Sequence, residues 1–369
     1  MNNLPGSDAS ARIGRYPVVR RVGAGAFATV WLARDTEFDV DVAIKVLGDN
    51  WSADDGIRDR FLTEATFLRR IRDPRVVHVY EIGTLDDDRP YFVMDYLDGG
   101  TLDDLRRTGL APAEALRLAA EAARGVEVLH RHHLIHRDVT PGNLLLSRRE
   151  GGPSVVVADL GVARAIATSS VGGMIVGTPA YMAPEQPGPE PIDHRVDVYA
   201  LCAVAYALLT QTPPFAVETA TDLLHRASDS VPPPVAERLG APARLDELFR
   251  SGLATDPSRR PPSAAILAQS FEQLAEDLIG VPALAHRAVR ASAPTERRRR
   301  AADAPPTGPF RPAPRVGPVR PIAPRVEAGA PVSPAPGPRN RSSTFYITMT
   351  VLAVVLFAIF LAVVVSVSG

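Results

Sequence analysis

The chain holds one cysteine, Cys202, and one lysine, Lys45, in 369 residues. A single cysteine makes no intramolecular disulfide and no cysteine-based zinc site, which excludes a disulfide-stapled secreted fold. The N-terminal stretch MNNLPGSDASARIG lacks the apolar core of a signal peptide. No internal repeat is visible. Of the 41 basic residues, 40 are arginine. With 35 prolines and an alanine-rich texture, this is the usage of a GC-rich bacterial genome that writes arginine wherever a positive charge suffices. A lysine kept at position 45 therefore calls for a specific chemistry.

The averages are those of ordinary soluble domains: 46% hydrophobic, 22% charged, net charge −1. They sum over three unlike regions. Residues 286–343 hold 12 arginines against Glu296, Asp303 and Glu327, a local charge of +9, and no charge follows Arg341, so residues 1–285 carry −10. An acidic body of this size argues against nucleic acid as a partner. Residues 294–338 contain 13 of the prolines without apolar periodicity, which predicts an extended, unpacked linker. Its arginines either meet anionic lipid headgroups or keep a plain spacer soluble.

Phe345 to Val367 contains no charge, glycine or proline. As a helix at ~1.5 Å per residue it reaches about 34 Å, enough for a hydrocarbon core of ~30 Å. It is apolar on every face, so a transmembrane helix over 344–367 is expected rather than a core helix. Arg339, Arg341 and Arg297 to Arg300 precede it, which places the N-terminal side in the cytoplasm. The expectation is a single-pass protein of the cell membrane with an extracytoplasmic tail at 368–369. Ala358 and Ala362 have the spacing of a helix-pairing face, which leaves a homodimer open.

Residues 1–14 read as a tail. Short strands are predicted at Pro17 to Val22, Thr29 to Ala33, Val40 to Leu47, Val76 to Ile82 and Pro90 to Asp95. A helix from Asp54 to Arg72 interrupts them, with Ile57, Phe61, Leu62, Ala65 and Leu68 at helical spacing. Beyond Thr101 helices dominate: Pro112 to His132, Val196 to Leu209, and one within Pro261 to Ile279. The fold class expected is α+β and bilobal, with a β-rich lobe (15–97), a larger helical lobe (98–285), the linker (286–343) and the membrane helix. A cleft between two such lobes is a natural ligand site.

Five segments carry phosphate chemistry. Val22-Gly23-Ala24-Gly25-Ala26-Phe27-Ala28-Thr29-Val30 joins two strands, and its glycines let backbone N–H groups approach a phosphate. A plain Gly-rich hairpin is the alternative, whereas a dinucleotide fold needs a helix where a strand follows. In Val42-Ala43-Ile44-Lys45 the alternation puts Lys45 opposite Ile44 and Val46. A lysine offers a compact ammonium, suited to phosphate oxygens and one carboxylate, and Glu64 on the following helix is placed to supply it. In His136-Arg137-Asp138-Val139-Thr140-Pro141-Gly142-Asn143, the Asp138 carboxylate suits proton acceptance from a hydroxyl, and the Asn143 amide oxygen suits Mg²⁺. Asp159-Leu160-Gly161, after the apolar strand Val155 to Val157, supplies a charged metal ligand. Gly177-Thr178-Pro179-Ala180-Tyr181-Met182-Ala183-Pro184-Glu185 closes the loop opened at Asp159.

The order of these motifs resembles the protein kinases, specifically bacterial eukaryotic-like (Hanks-type) Ser/Thr kinases, over about residues 15–280. The resemblance implies ATP and Mg²⁺ as cofactors, with Mn²⁺ as a substitute, and protein Ser/Thr hydroxyls as acceptors, the chain itself included. It implies that Gly23 and Gly25 cover the phosphates. It makes Val22, Val30, Ala43, Met94 and Leu145 the adenine pocket and the backbone near Asp95 and Leu97 the hinge. Lys45 becomes the phosphate-binding lysine, held by Glu64. Asp138 becomes the base, Asn143 and Asp159 the metal ligands, and Thr178 part of a Ser/Thr-type substrate loop. Glu185 would pair with Arg260, and Asp197 would brace the catalytic loop. Arg137 before the base implies control by phosphate on the activation loop, with Thr168, Ser169 and Ser170 as candidates. His136 reads as structural, and His130, His132 and His133 as a helix end rather than a metal site.

The sequence departs from the family pattern at Ala28 (third loop glycine), Leu160 (usually Phe) and Cys202 (usually Gly, here expected to be an inert buried thiol). Thr140 matters most, because Ser/Thr kinases carry Lys there to neutralise the transferring phosphate. Two readings follow: an active kinase of reduced turnover, or a membrane-tethered pseudokinase that binds nucleotide as a scaffold.

Overall fold

A computed structural model describes residues 11–149, 152–160, 179–188, 191–217, 219, 222–223 and 230–281. By internal contacts the chain divides into residues 1–291 and 292–369, and every described residue belongs to the first unit. The linker and the membrane helix expected at 344–367 lie outside the described residues. Among the described residues no helix is long and apolar enough to cross a membrane.

The N-terminal part is an antiparallel six-stranded sheet of β1 (Arg12–Ile13), β2 (Tyr16–Ala24), β3 (Ala28–Asp35), β4 (Val40–Leu47), β5 (Val79–Thr84) and β6 (Pro90–Asp95), in the order β1-β2-β3-β4-β6-β5. Its register sets Val30 opposite Lys45, and Lys45 opposite Phe92. Helix α1 (Asp55–Arg70) packs against β5 and β6. It starts where Asp54 accepts a hydrogen bond from the Ile57 N–H, and it buries Ile57, Phe61, Ala65 and Leu68. Glu64 stands three residues after Phe61 and four before Leu68, so the same periodicity carries its carboxylate inward.

The C-terminal part contains α2 (Leu102–Thr108), α3 (Pro112–Arg131), the hairpin β7 (Leu144–Arg149) and β8 (Gly152–Val157), α4 (Arg195–Thr210), α5 (Ala236–Leu239), α6 (Arg244–Gly252) and α7 (Ala264–Asp277). Helix α4 buries every residue from Val196 to Leu209. A helix apolar on all sides belongs at the centre of a helical layer, and α2, α3, α6 and α7 all pack against it. Cys202 lies in this core, where a Cβ added to Gly252 of α6 would stand 2.2 Å from its sulfur. Glycine at 252 is what gives the thiol its room. Burial pushes the Cys202 pKa up to about 12, so the thiol is inert.

The two parts are stitched together away from their chain connection. Val77 N–H donates to the Val157 carbonyl (2.9 Å), and Val157 N–H donates to the Arg75 carbonyl (2.8 Å). Gly125 of α3 permits this contact, since a Cβ there would come within 2.6 Å of the Val157 side chain. This corrects the strand expected at 76–82. Val76 and Val77 are β-branched because they are buried, at 2% and 1% exposure, against β8. The strand proper begins only at Val79.

Candidate functional site

The glycine turn between β2 and β3 is anchored at its tip rather than along its length. Phe27 stacks on Trp51 at 5.0 Å, and the Trp51 indole donates to the Ala26 carbonyl at 2.8 Å. A Cβ added to Gly23 would meet nothing within 4 Å, and one on Gly25 only the Ala28 carbonyl at 3.5 Å. The protein's own packing therefore does not require these glycines. They leave an open cradle of the kind a polyphosphate fills.

Lys45 lies under this turn. Its Nζ is 2.8 Å from Glu64 Oε1 and 2.9 Å from Asp159 Oδ1, and it sits over the Phe92 ring at 5.5 Å. Glu64 is 1% exposed. Burial pushes its carboxyl up, against the pull of Lys45, to about 7. Burial alone would lower the Lys45 pKa, but Asp159 and Glu64 outweigh it and raise it. Burial would likewise raise Asp159, and Lys45 outweighs that, holding the carboxyl below its usual range. Lys45 is thus a fixed cation with a carboxylate on either side. Asp159 has φ of +53°, a strained conformation for a non-glycine residue and one that clusters at functional sites.

The loop 136–143 hangs from α4. Asp197 accepts from His136 N–H and Arg137 N–H, each at 2.8 Å, and meets the His130 ring at 2.8 Å. His136 is fully buried. Its Nε2 meets the Ala158 carbonyl at 3.0 Å, and its Nδ1 accepts from Asp138 N–H at 3.3 Å. Burial lowers its pKa and keeps it neutral. Asn143 donates through its amide to the Asp138 carbonyl (2.9 Å) and to Asp138 Oδ2 (2.8 Å), and its own carbonyl accepts from Ala158 N–H (3.0 Å). Asp138, Asn143 and Asp159 are thereby set by one hydrogen-bond network. Asn143 Oδ1 and Asp159 Oδ2 have no partner among the described residues. One amide oxygen and one carboxylate oxygen, beside a phosphate cradle, are a hard donor set that fits Mg²⁺.

The adenine-pocket residues line up in part. Ala43 is paired with Met94 across β4 and β6, both buried. Val30 and Leu145 are half-buried against the core. Val22 is 46% exposed. The Asp95 N–H is already spent on the His78 carbonyl (3.1 Å), so the hinge edge expected there excludes it. Leu97 is half-buried on the connection to α2. Arg260 donates to both Glu185 oxygens, at 2.6 and 2.8 Å, and to three backbone carbonyls (Ala254, Arg195 and Thr255). Gly161, Thr168, Ser169, Ser170 and Thr178 lie outside the described residues. No metal-binding cluster of His, Cys, Asp or Glu occurs among the described residues.

Three contacts escaped the sequence reading. His130 is more than a helix end, because it is the third partner of Asp197. Gln186 donates to the Arg137 carbonyl at 2.9 Å and fastens the segment before α4 to the loop 136–143. Arg60, an unremarkable arginine of α1, has a buried guanidinium nitrogen with no hydrogen-bond partner. Burial lowers its pKa, and the nearby Arg137 lowers it further. None of the three carries a local sequence signal: His130 and Gln186 depend on partners 67 and 49 residues away, and Arg60 on its burial beside the distant Arg137.

Comparison with known proteins agrees with this arrangement. The sequence matches the protein kinase domain family over residues 16–272. It is 36% identical over 262 residues to the serine/threonine-protein kinase PknB of Mycolicibacterium smegmatis, covering 68% of this chain and 41% of that protein. It is 34% identical over 269 residues to PknL of Mycobacterium tuberculosis, covering 72% of this chain and 66% of that one. The chain therefore spans about two fifths of the length of the PknB relatives. The crystal structure of the Mycobacterium tuberculosis PknI kinase domain superposes with a TM-score of 0.58 at 28% identity, covering 73% of this chain and all of that domain. The phosphate cradle, the lysine held between two carboxylates, and the Asp138 to Asp159 network all fall inside the matched region, and the chain belongs to the protein kinase family.

Proposed function

We propose that the chain is a serine/threonine protein kinase that uses ATP and Mg²⁺ to phosphorylate Ser or Thr of protein substrates, itself included, in bacterial signalling. The carrying observation is the single network that sets Asp138, Asn143 and Asp159 beside Lys45. Bound ATP would supply the phosphoryl group, and Mg²⁺ held by Asn143 and Asp159 would neutralise its oxygens. Gly23 and Gly25 admit the phosphates, and Lys45, kept straight by Glu64, meets them with a fixed positive charge. Asp138 orients the acceptor hydroxyl and takes its proton, while the Asn143 amide holds that carboxylate in place. Asn143 Oδ1 and Asp159 offer the metal its protein ligands. The direct test is incubation with Mg²⁺ and ATP in the presence of a generic basic protein, with Asp138→Asn as the control.

Thr140 supports the second reading, a pseudokinase scaffold. It is buried, at 9% exposure, and brings only a hydroxyl where a cation would neutralise charge. The intact lysine, base and metal-ligand positions favour the enzyme, with turnover lowered by Thr140.

Regulation is proposed at Arg137. Arg60 feels the charge of Arg137 as well as that of Asp54, and among the described residues no carboxylate hydrogen-bonds to either arginine, so the two form a like-charge pair suited to a phosphate dianion. Phosphopeptide mapping after autophosphorylation is expected to find phosphate on Thr168, Ser169 or Ser170. An active preparation with none between 165 and 178 rejects this site.

Membrane anchoring through 344–367 is proposed from the apolar run. Deleting residues 344–369 is expected to move the protein from the membrane fraction to the soluble fraction, with ATP binding retained. Loss of ATP binding in that truncation contradicts the domain division.

A further inference from the structure

A cavity of about 290 Å³ lies against the connection between the two lobes. None of Lys45, Asn143, Leu145 or Asp159 lines it. Its walls come from three places: the segment after α1, the connection itself through Asp95 and Leu97, and Val156 of β8. Pro74, Val76, Leu97 and Val156 make the apolar part.

The polar groups differ in what they have already spent. Asp95 is satisfied, since its carboxylate accepts from His78 N–H (2.8 Å) and from the Tyr80 hydroxyl. Asp73 uses Oδ1 for the Arg75 backbone (2.9 Å) and guanidinium (3.4 Å), and Oδ2 has no partner among the described residues. Arg72 makes no hydrogen bond or ion pair among them. His78 Nδ1 meets the Ile71 carbonyl at 3.2 Å. A carbonyl only accepts, so Nδ1 carries a proton and Nε2 is left without a partner among the described residues.

The unspent groups are thus a guanidinium, a carboxylate oxygen and one imidazole nitrogen, beside a short apolar wall. A bare anion would meet Asp73 and Asp95, and a bare cation would meet Arg72. A zwitterion satisfies both signs at once. The volume lies just below the range of about 300–1,000 Å³ usual for drug-sized ligands, which suits one small molecule with a branched or aromatic side chain. We propose that this cavity binds a free apolar α-amino acid, its carboxylate on Arg72, its ammonium on Asp73 and its side chain against Val76, Leu97 and Val156. Such a ligand touches both lobes and their connection, so it holds them together and tightens nucleotide binding. By linkage, nucleotide tightens the amino acid by the same factor.

The test is calorimetric titration of the full chain in detergent with L-leucine and L-phenylalanine. Isovalerate (no ammonium) and isoamylamine (no carboxylate) serve as half-ligands. Arg72 is exposed, and Asp73→Asn keeps the acceptor for Arg75, so both variants fold. Wild type is expected to bind at least one of the two amino acids, and each half-ligand roughly tenfold or more weakly, the scale of a lost charge-assisted hydrogen bond. Arg72→Ala should lose about tenfold for the amino acid and for isovalerate but nothing for isoamylamine, and Asp73→Asn should show the mirror image. No binding of either amino acid, or equal binding to wild type and Arg72→Ala, overturns the site. An unchanged dissociation constant for a non-hydrolysable ATP analogue under saturating amino acid overturns the coupling. Binding is read without phosphate transfer, so its failure is separable from failure of the kinase reading.

Discussion

Asp138→Asn is expected to cut phosphate transfer by about 10³-fold, within the 10²–10⁴ range of a lost general base, and to leave nucleotide affinity within about twofold. The amide keeps the shape of the carboxylate and its place on the loop, which hangs from Asp197 through backbone bonds. It cannot accept a proton from the acceptor hydroxyl. Phosphate incorporation measures the first quantity and ATP titration the second. Equal incorporation by wild type and variant sinks the enzyme and leaves the scaffold. Thr140→Lys should move the other way, because a cation restored beside the base acts on charge in the transition state. It should raise kcat more than it lowers KM for ATP.

Arg260→Met should be the most damaging single change to stability. The guanidinium side chain is 0% exposed, bidentate on Glu185, bonded to three carbonyls and stacked 5.0 Å above the Tyr199 ring. Removing one member of a buried pair costs about 3–5 kcal/mol, because the other charge stays behind. For a domain of this size that is roughly 6–20 °C in Tm. The double variant Arg260→Met with Glu185→Met should recover the part of the loss that comes from the unpaired carboxylate, while the Ala254, Arg195 and Thr255 carbonyls remain without that donor. Thermal unfolding of the three proteins decides this. A double variant as unstable as the single one assigns the loss to packing rather than to the unpaired carboxylate.

The sequence made β4 and β6 legible to the residue, because Val40–Leu47 alternates and Pro90–Asp95 is a short apolar run, each with turn residues on both sides. It also made legible the inward turn of Glu64, through its pairing with Lys45, and the burial of α4, through a run that is apolar on every face. The lone lysine pointed to its own surroundings through codon usage rather than geometry. Other features were hidden for identifiable reasons. Helix α2 has only seven residues and too little periodicity, although its capping box, Thr101 with Asp104, is a readable start signal. The run at 76–78 looked like strand because burial and β-pairing select the same branched residues. Arg60, Gln186 and His130 gain meaning only from distant partners.

The Val77 to Val157 bond spans 80 residues of chain, and the Lys45 to Asp159 contact spans 114. A ribosome adding about 5–20 residues per second needs roughly 6–23 s to make that interval. From the completion of β6 to the end of that interval, Glu64 and Lys45 have only each other and Val76 and Val77 lack β8. The small lobe therefore cannot finish folding as it is born, and the vulnerable interval for chaperone capture or proteolysis closes only when β8 and Asp159 arrive.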